Sequence, residues 1–232
     1  RCVYCDTQKY LRRTKFCTIG VDPSGVKKTK NPVSISYILS SISSLIRLGH
    51  TPIHSISFTG GEPLLQAEFL SALAKECHAK GWKNYLETNG YSEEAFKSVA
   101  EYFDYAAIDI KMPDHLTGCT RWGRPQPHRE TTTGHIRWLS LYKNELECIN
   151  YGVENGICTI VKVVATRRMD ERLFKKVCSE LPHGIELVIQ PVTPLSKSAK
   201  TLSNKKIIEL YKIASRFLQP ENVMVMPQMH RI

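Results

Sequence analysis

The feature that most constrains the fold of this 232-residue sequence is a rhythm. Short apolar runs alternate with segments of helical period, and polar or glycine residues gather just after the runs. Residues 55–61 (SISFTGG), 84–90 (NYLETNG), 105–111 (YAAIDIK), 157–165, 185–190 and 222–226 read as strands. Residues 34–48, 67–81, 92–103, about 135–148, 170–180 and 202–217 read as helices. Gly81 is a C-cap signal and Ser92 an N-cap signal. Strands alternating with helices imply parallel strands joined by right-handed crossovers. In such folds ligands bind at the carboxyl ends of the strands. TGGE, ETNG, DIK and QPVTP all fall at that end, so four strands deliver polar residues to one place. A Pro/Gly-rich excursion spans 112–134, and residues 6–32 read as an extended loop. No internal repeat, low-complexity tract or linker divides the chain, so 1–232 is expected to be a single α/β domain.

Composition excludes several classes. Hydrophobic residues make up 42%, enough for a real core, yet no run of eighteen apolar residues exists to span a membrane. The first residues carry no apolar segment of signal-peptide type. Eight cysteines are scattered at 2, 5, 17, 77, 119, 148, 158 and 178, which suits reduced thiols and a cytoplasmic setting. Cys77, Cys158 and Cys178 fall in apolar segments and are expected to pack in the core. Net charge is +10, and residues 1–30 set eight Lys or Arg against Asp6 and Asp22. A solvated loop is the default reading of that excess. An acidic docking partner or an anionic substrate comes next. Direct nucleic-acid binding is not expected, because no interleaved aromatic platform accompanies the charges.

Two motifs carry chemistry. In TGGEP (59–63) paired glycines let backbone approach a ligand, Glu62 is able to orient an ammonium or hydroxyl group, and Pro63 starts a helix. Cys2 and Cys5 form the only CxxC, and their spacing lets two thiolates reach one centre. A zinc site usually needs a second such pair, a thioredoxin-type pair usually opens a helix, and an iron–sulfur cluster needs three or four cysteines. Blander readings stand beside these. Asp6 and Thr7 suit a loop turn, Glu87 and Asn89 suit turn formers, Asp109 suits an ion pair with Lys111, and His230 suits the surface.

Together, CVYC near the start and TGGEP after a following strand resemble the radical S-adenosylmethionine (SAM) superfamily. Within it, CDT (5–7), TGGEPLLQ (59–66), LETNG (86–90), LVIQPVTP (187–194) and VMPQMH (225–230) resemble the 7-carboxy-7-deazaguanine synthase family. The resemblance implies a partial (β/α) barrel. It aligns Cys2 and Cys5 with the second and third cysteines of a CxxxCxxC motif, so the first cysteine and the first strand are expected upstream of Arg1. Cys17 is a rival third ligand. The implied cofactors are a [4Fe-4S] cluster, SAM and Mg²⁺. The implied reaction converts 6-carboxy-5,6,7,8-tetrahydropterin to 7-carboxy-7-deazaguanine and ammonia, a carbon–nitrogen lyase ring contraction serving queuosine and archaeosine, the deazaguanines of tRNA.

By motif position, the resemblance gives Cys2 and Cys5 to the cluster and Thr7 to Mg²⁺. It gives SAM contacts to Tyr4, Cys5, Asp6, Gly60, Gly61, Glu62, Asp109, Ile110, Lys111, Gln190, Pro191, Val192 and Thr193, and a substrate contact to Thr59. The family usually carries Ser-Pro-Lys where this chain has Asp109-Ile110-Lys111. The expected partners are the small pterin, a one-electron donor such as flavodoxin or ferredoxin, and a second copy in a homodimer. Two alternatives remain: a glycyl-radical activating enzyme, and a non-catalytic metal- or RNA-binding module.

Overall fold

The structure is a computed structural model that describes residues 4, 14–22, 25–49, 52–116, 131–193 and 201–227. Its centre is a sheet of six parallel strands in sequential order. These are β3 (Ile56–Phe58), β4 (Asn84–Thr88), β5 (Tyr105–Ile110), β6 (Cys158–Ala165), β7 (Glu186–Pro191) and β8 (Val223–Val225). Helices fill the crossovers: α2 (Ala67–Ala79), α3 (Glu93–Lys97), α4 (Thr131–Glu154), α5 (Glu171–Glu180) and α6 (Asn204–Ala214). Sequential order with crossovers of one hand puts all these helices on one side of the sheet. That is the geometry of a barrel wall, not of a doubly wound sheet, and it matches the expected partial (β/α) barrel. Helix α1 (Ile35–Leu48) precedes β3, and Ser34 caps it by accepting from the Tyr37 amide.

The sheet sorts its side chains with a period of two. On the helix side lie Phe58, Leu86, Ile108, Val161, Val163, Leu187 and Ile189, all buried. The helices answer with their own stripes. Leu70, Leu73, Ala74 and Cys77 of α2 recur at helical spacing and are buried, as are Phe174, Val177 and Cys178 of α5. The Leu, Val, Ile and Phe side chains among these each contribute roughly 1.5–3 kcal/mol through burial. The opposite, concave side carries Ser57, Tyr85, Glu87, Asp109, Lys162 and Gln190. The same strands thus separate packing from chemistry.

Several expectations are corrected. Part of the extended loop is an antiparallel hairpin, β1 (Phe16–Asp22) with β2 (Gly25–Lys30). The alternating apolar Cys17, Ile19 and Val21 and the turn-favouring letters of the DPSG stretch were its sequence signal. Cys17 sits in β1 opposite Thr29. The helix expected over 92–103 stops at Lys97, and a single 3₁₀ turn follows at Ala100–Tyr102. Phe96, Val99, Ala100 and Phe103 still reach the core, which is why their spacing resembled one helix. Helix α4 begins inside the expected excursion and runs to Glu154. Gly152 belongs to it, because a Cβ there would lie 2.6 Å from Thr159 Oγ1 on β6. Cys77 and Cys178 are buried as expected, but Cys158 is exposed, being the first residue of β6 on the concave side. Among the described residues, no helix is long and apolar enough to cross a membrane.

Candidate functional site

The site is assembled from the carboxyl ends of β3 to β7. After β3 come Thr59, Gly60 and Gly61, all exposed. Gly60 has φ of +142°, a left-handed value, and a Cβ added there would meet nothing within 4 Å. The backbone at this turn is therefore open to an incoming ligand. Glu62 then caps the short 3₁₀ turn Pro63–Gln66. Its Oε1 accepts from the Leu64 amide at 3.0 Å and the Thr88 hydroxyl at 2.7 Å, and its Oε2 accepts from the Asn89 amide at 2.9 Å. Burial pushes the Glu62 carboxyl upward in pKa, and these three hydrogen bonds hold part of that shift back. Glu62 fastens the β3 turn to the β4 turn.

The β4 turn is built from its own residues. The Gly90 amide donates to Thr88 Oγ1 at 3.1 Å, and the Tyr91 amide donates to Asn89 Oδ1 at 3.0 Å. Asn89 is thus a turn former, as its residue type suggested. Glu87 is not. It lies within β4 and faces the concave side, where Lys162 Nζ of β6 donates to it at 2.9 Å. Lys162 Nζ also lies 3.7 Å from Asp109, and Lys111 Nζ donates to Asp109 at 2.7 Å. The result is an alternating network, Glu87–Lys162–Asp109–Lys111, across three strands.

Its charges sustain one another. Burial alone would raise Asp109, but the ammonium groups of Lys111 and Lys162 outweigh it and hold the carboxyl below its usual range. Burial alone would lower Lys162, but Asp109 and Glu87 outweigh that and hold it above the usual lysine value. The Ile110 side chain is buried on the helix side, leaving its backbone as the part near the site.

Tyr4 meets the end of this network. Its hydroxyl lies 3.3 Å from His115 Nδ1, the two rings contact edge-on at 5.1 Å, and Lys111 Nζ stands 6.0 Å from the tyrosine ring centre. The Met112 amide donates to the same Nδ1 at 3.0 Å, so Nδ1 is an acceptor and the imidazole is neutral. Burial, aided by Lys111, lowers the His115 pKa to about 4 against the pull of Asp114 and Asp109. On β7, Gln190 faces the concave side beside Val164, Pro191 pairs with Ala165, and the Val192 amide donates to the Ala165 carbonyl at 3.0 Å. Thr193 follows, half-buried. Cys2, Cys5, Asp6, Thr7 and His230 lie outside the described residues.

The structure therefore brings Tyr4, Thr59, Gly60, Gly61, Asp109, Lys111 and Gln190 to one end of the sheet. Sequence reasoning missed Lys162 and misjudged Glu87. The available signal was parity, since both share the concave phase of their strands with Asp109.

The comparisons with known proteins agree with this geometry. Residues 1–164 match the model of the Radical SAM superfamily, and the chain belongs to that superfamily. It is 30% identical to the 7-carboxy-7-deazaguanine synthase of Thermococcus kodakarensis over 99% of this chain and 83% of that one. It is 32% identical to the protein of the same name from Methanocaldococcus jannaschii, over 99% and 85%. Its fold is similar to a domain of pyruvate-formate lyase-activating enzyme from Bacteroides vulgatus. The TM-score is 0.50 at 17% identity, covering 75% of this chain and 99% of that one. Family membership implies a [4Fe-4S] cluster and SAM.

Proposed function

We propose that this chain is a radical SAM lyase of the 7-carboxy-7-deazaguanine synthase type. Its substrate would be 6-carboxy-5,6,7,8-tetrahydropterin, and its products 7-carboxy-7-deazaguanine and ammonia. The observation that carries this reading is the similarity to two synthases of that name along 99% of the chain. Such a product belongs to the supply of deazaguanines for tRNA modification.

The described residues fit the expected cofactor. The methionyl part of SAM carries an ammonium and a carboxylate, and the strand ends offer Asp109, Lys111 and the open backbone at Gly60. Cys2 and Cys5 would hold the cluster, with Tyr4 and Asp6 beside it. When bound, the cluster and SAM supply a 5′-deoxyadenosyl radical that removes a hydrogen atom from the substrate. Thr59, Gly61, Gln190, Pro191, Val192 and Thr193 would line the same end of the sheet and exclude water. Glu87 and Lys162 give the concave wall a carboxylate and an ammonium. An aminopyrimidinone presents adjacent N–H donors to the first, and a substrate carboxylate suits the second. Mg²⁺ takes hard oxygen ligands, and Thr7 would supply a hydroxyl to it.

The test uses the complete gene product, reconstituted anaerobically with iron, sulfide, reductant and SAM. Carboxytetrahydropterin and Mg²⁺ are added and products are read by mass spectrometry. The proposal expects 5′-deoxyadenosine together with 7-carboxy-7-deazaguanine. The first without the second overturns the substrate and keeps the superfamily chemistry. Thr7→Ala should weaken the Mg²⁺ dependence and leave the cluster intact; an unchanged Mg²⁺ response overturns that ligand.

A further inference from the structure

Lys111 stands where β5 leaves the sheet, one residue past the last ladder pair of Ile110 with Val163. Both of its backbone groups are held by helix α4. Trp138 Nε1 donates to the Lys111 carbonyl at 2.6 Å, and the Glu145 carboxyl accepts from the Lys111 amide at 3.2 Å on each oxygen. Trp138 and Glu145 are two helical turns apart and share a face of α4. The same helix holds the turn after β4, where Asn144 Nδ2 donates to the Tyr91 carbonyl at 2.6 Å. The approach is close, since a Cβ on Gly90 would come within 3.2 Å of Glu145 Cα.

Glu145 is fully buried and sits on the helix side of the sheet, away from any ligand on the concave side. A buried carboxyl is a costly choice for packing, and an apolar side chain of similar volume would fill the space more cheaply. An apolar side chain would leave the Lys111 amide without this acceptor, and a buried amide left unmet carries its full desolvation penalty. Burial pushes the Glu145 carboxyl well up in pKa, while the Lys111 ammonium and the hydrogen bond from the Lys111 amide pull it back towards the charged form that accepts on both oxygens.

We infer that α4 sets the position of Lys111, with Glu145 as the positioning residue and Trp138 as its second hold. Neither touches a ligand. They fix the lysine backbone so that Nζ meets Asp109, and through Asp109 they register the Lys162 and Glu87 network. This inference rests on the reading that Lys111 contacts SAM.

The test measures 5′-deoxyadenosine formation against SAM concentration, using the complete, anaerobically reconstituted protein. Cluster absorbance and iron content are read beside it. Losing one buried hydrogen bond predicts that Glu145→Ala raises KM for SAM by ~10-fold, with a smaller change in kcat. Glu145→Gln keeps a carbonyl acceptor and stays within ~3-fold of the parent, whereas Trp138→Phe raises KM by ~3-fold. Glu145→Ala with a parental KM overturns the inference, as does Glu145→Gln impaired as much as Glu145→Ala. If Glu145→Ala does not fold, Trp138→Phe with a parental KM overturns it instead. A Lys111→Ala variant separates the two readings. A parental SAM KM there removes the lysine contact and this inference with it. An impaired Lys111→Ala beside unimpaired α4 variants removes this inference alone.

Discussion

The two sides of the sheet use the same strands for opposite purposes. Ile108 and Asp109 are neighbours in sequence, as are Val161 and Lys162, yet the first of each pair is fully buried under helices and the second joins the ion network. On the helix side, stability comes from apolar area and close packing. On the concave side, half-buried charges stabilise one another and hold shifted pKa values, as sites that do chemistry commonly do. The comparison teaches that parity along a strand, more than residue type, separates structural from functional positions in this fold.

The comparison breaks most readily at Leu187, fully buried on the helix side of β7. Leu187→Ala should cost about 2–5 kcal/mol in chemical denaturation while the folded fraction keeps its KM for SAM. A large KM change with parental stability would reverse the assignment of the faces. Lys162→Met tests the other side. It strands Glu87 and Asp109 without their shared ammonium, and turnover should fall ~100-fold, about 2.7 kcal/mol in barrier. The helix-side core should stay intact by near-ultraviolet circular dichroism, and parental turnover would empty the network of function.

His115 sharpens the comparison through pH. Its folded pKa of about 4 lies below the ordinary 6.5, so the unfolded chain takes up a proton that the fold refuses. Its contribution is fully present above about pH 6.5, is lost as pH falls towards 4, and is constant below that. At pH 5 the loss should be about 2 kcal/mol, and His115→Gln should remove that part of the acid sensitivity. Equal acid sensitivity in variant and parent would place the protonation elsewhere. The smallest effect is expected at Thr88, buried on the helix side with its hydroxyl on Glu62. Thr88→Val should cost about 1 kcal/mol and loosen the turns at Gly60 and Gly90. An unchanged denaturation midpoint would remove the cross-tie from the account.

Much of this was legible in the letters. Strand ends announce themselves by glycine and polar residues after an apolar run, so TGGE, ETNG, DIK and QPVTP were found together. The Asp109–Lys111 pair followed from two residues of opposite charge at one strand end. Three things were hidden. The partners of Glu62 come from a different strand end, so nothing local in TGGEP says that its oxygens meet Thr88 and Asn89. Lys162 lies inside an apolar strand and gains meaning only from Glu87 and Asp109 on adjacent strands. The hold of α4 on Lys111 joins residues 34 positions apart, a separation that periodicity does not bridge. The hairpin of β1 and β2 was readable and was missed, because its lysines masked its alternation.

The central claim is that the concave side holds the substrate, and Glu87→Gln tests it most directly. The change keeps the size of the side chain and removes the charge that would face the substrate's N–H edge. Product formation and 5′-deoxyadenosine formation are measured separately in the reconstituted protein at rising pterin concentration. The account predicts at least a ~10-fold rise in KM for the pterin, with the cluster and KM for SAM close to the parent. A pterin KM equal to the parent's would contradict it.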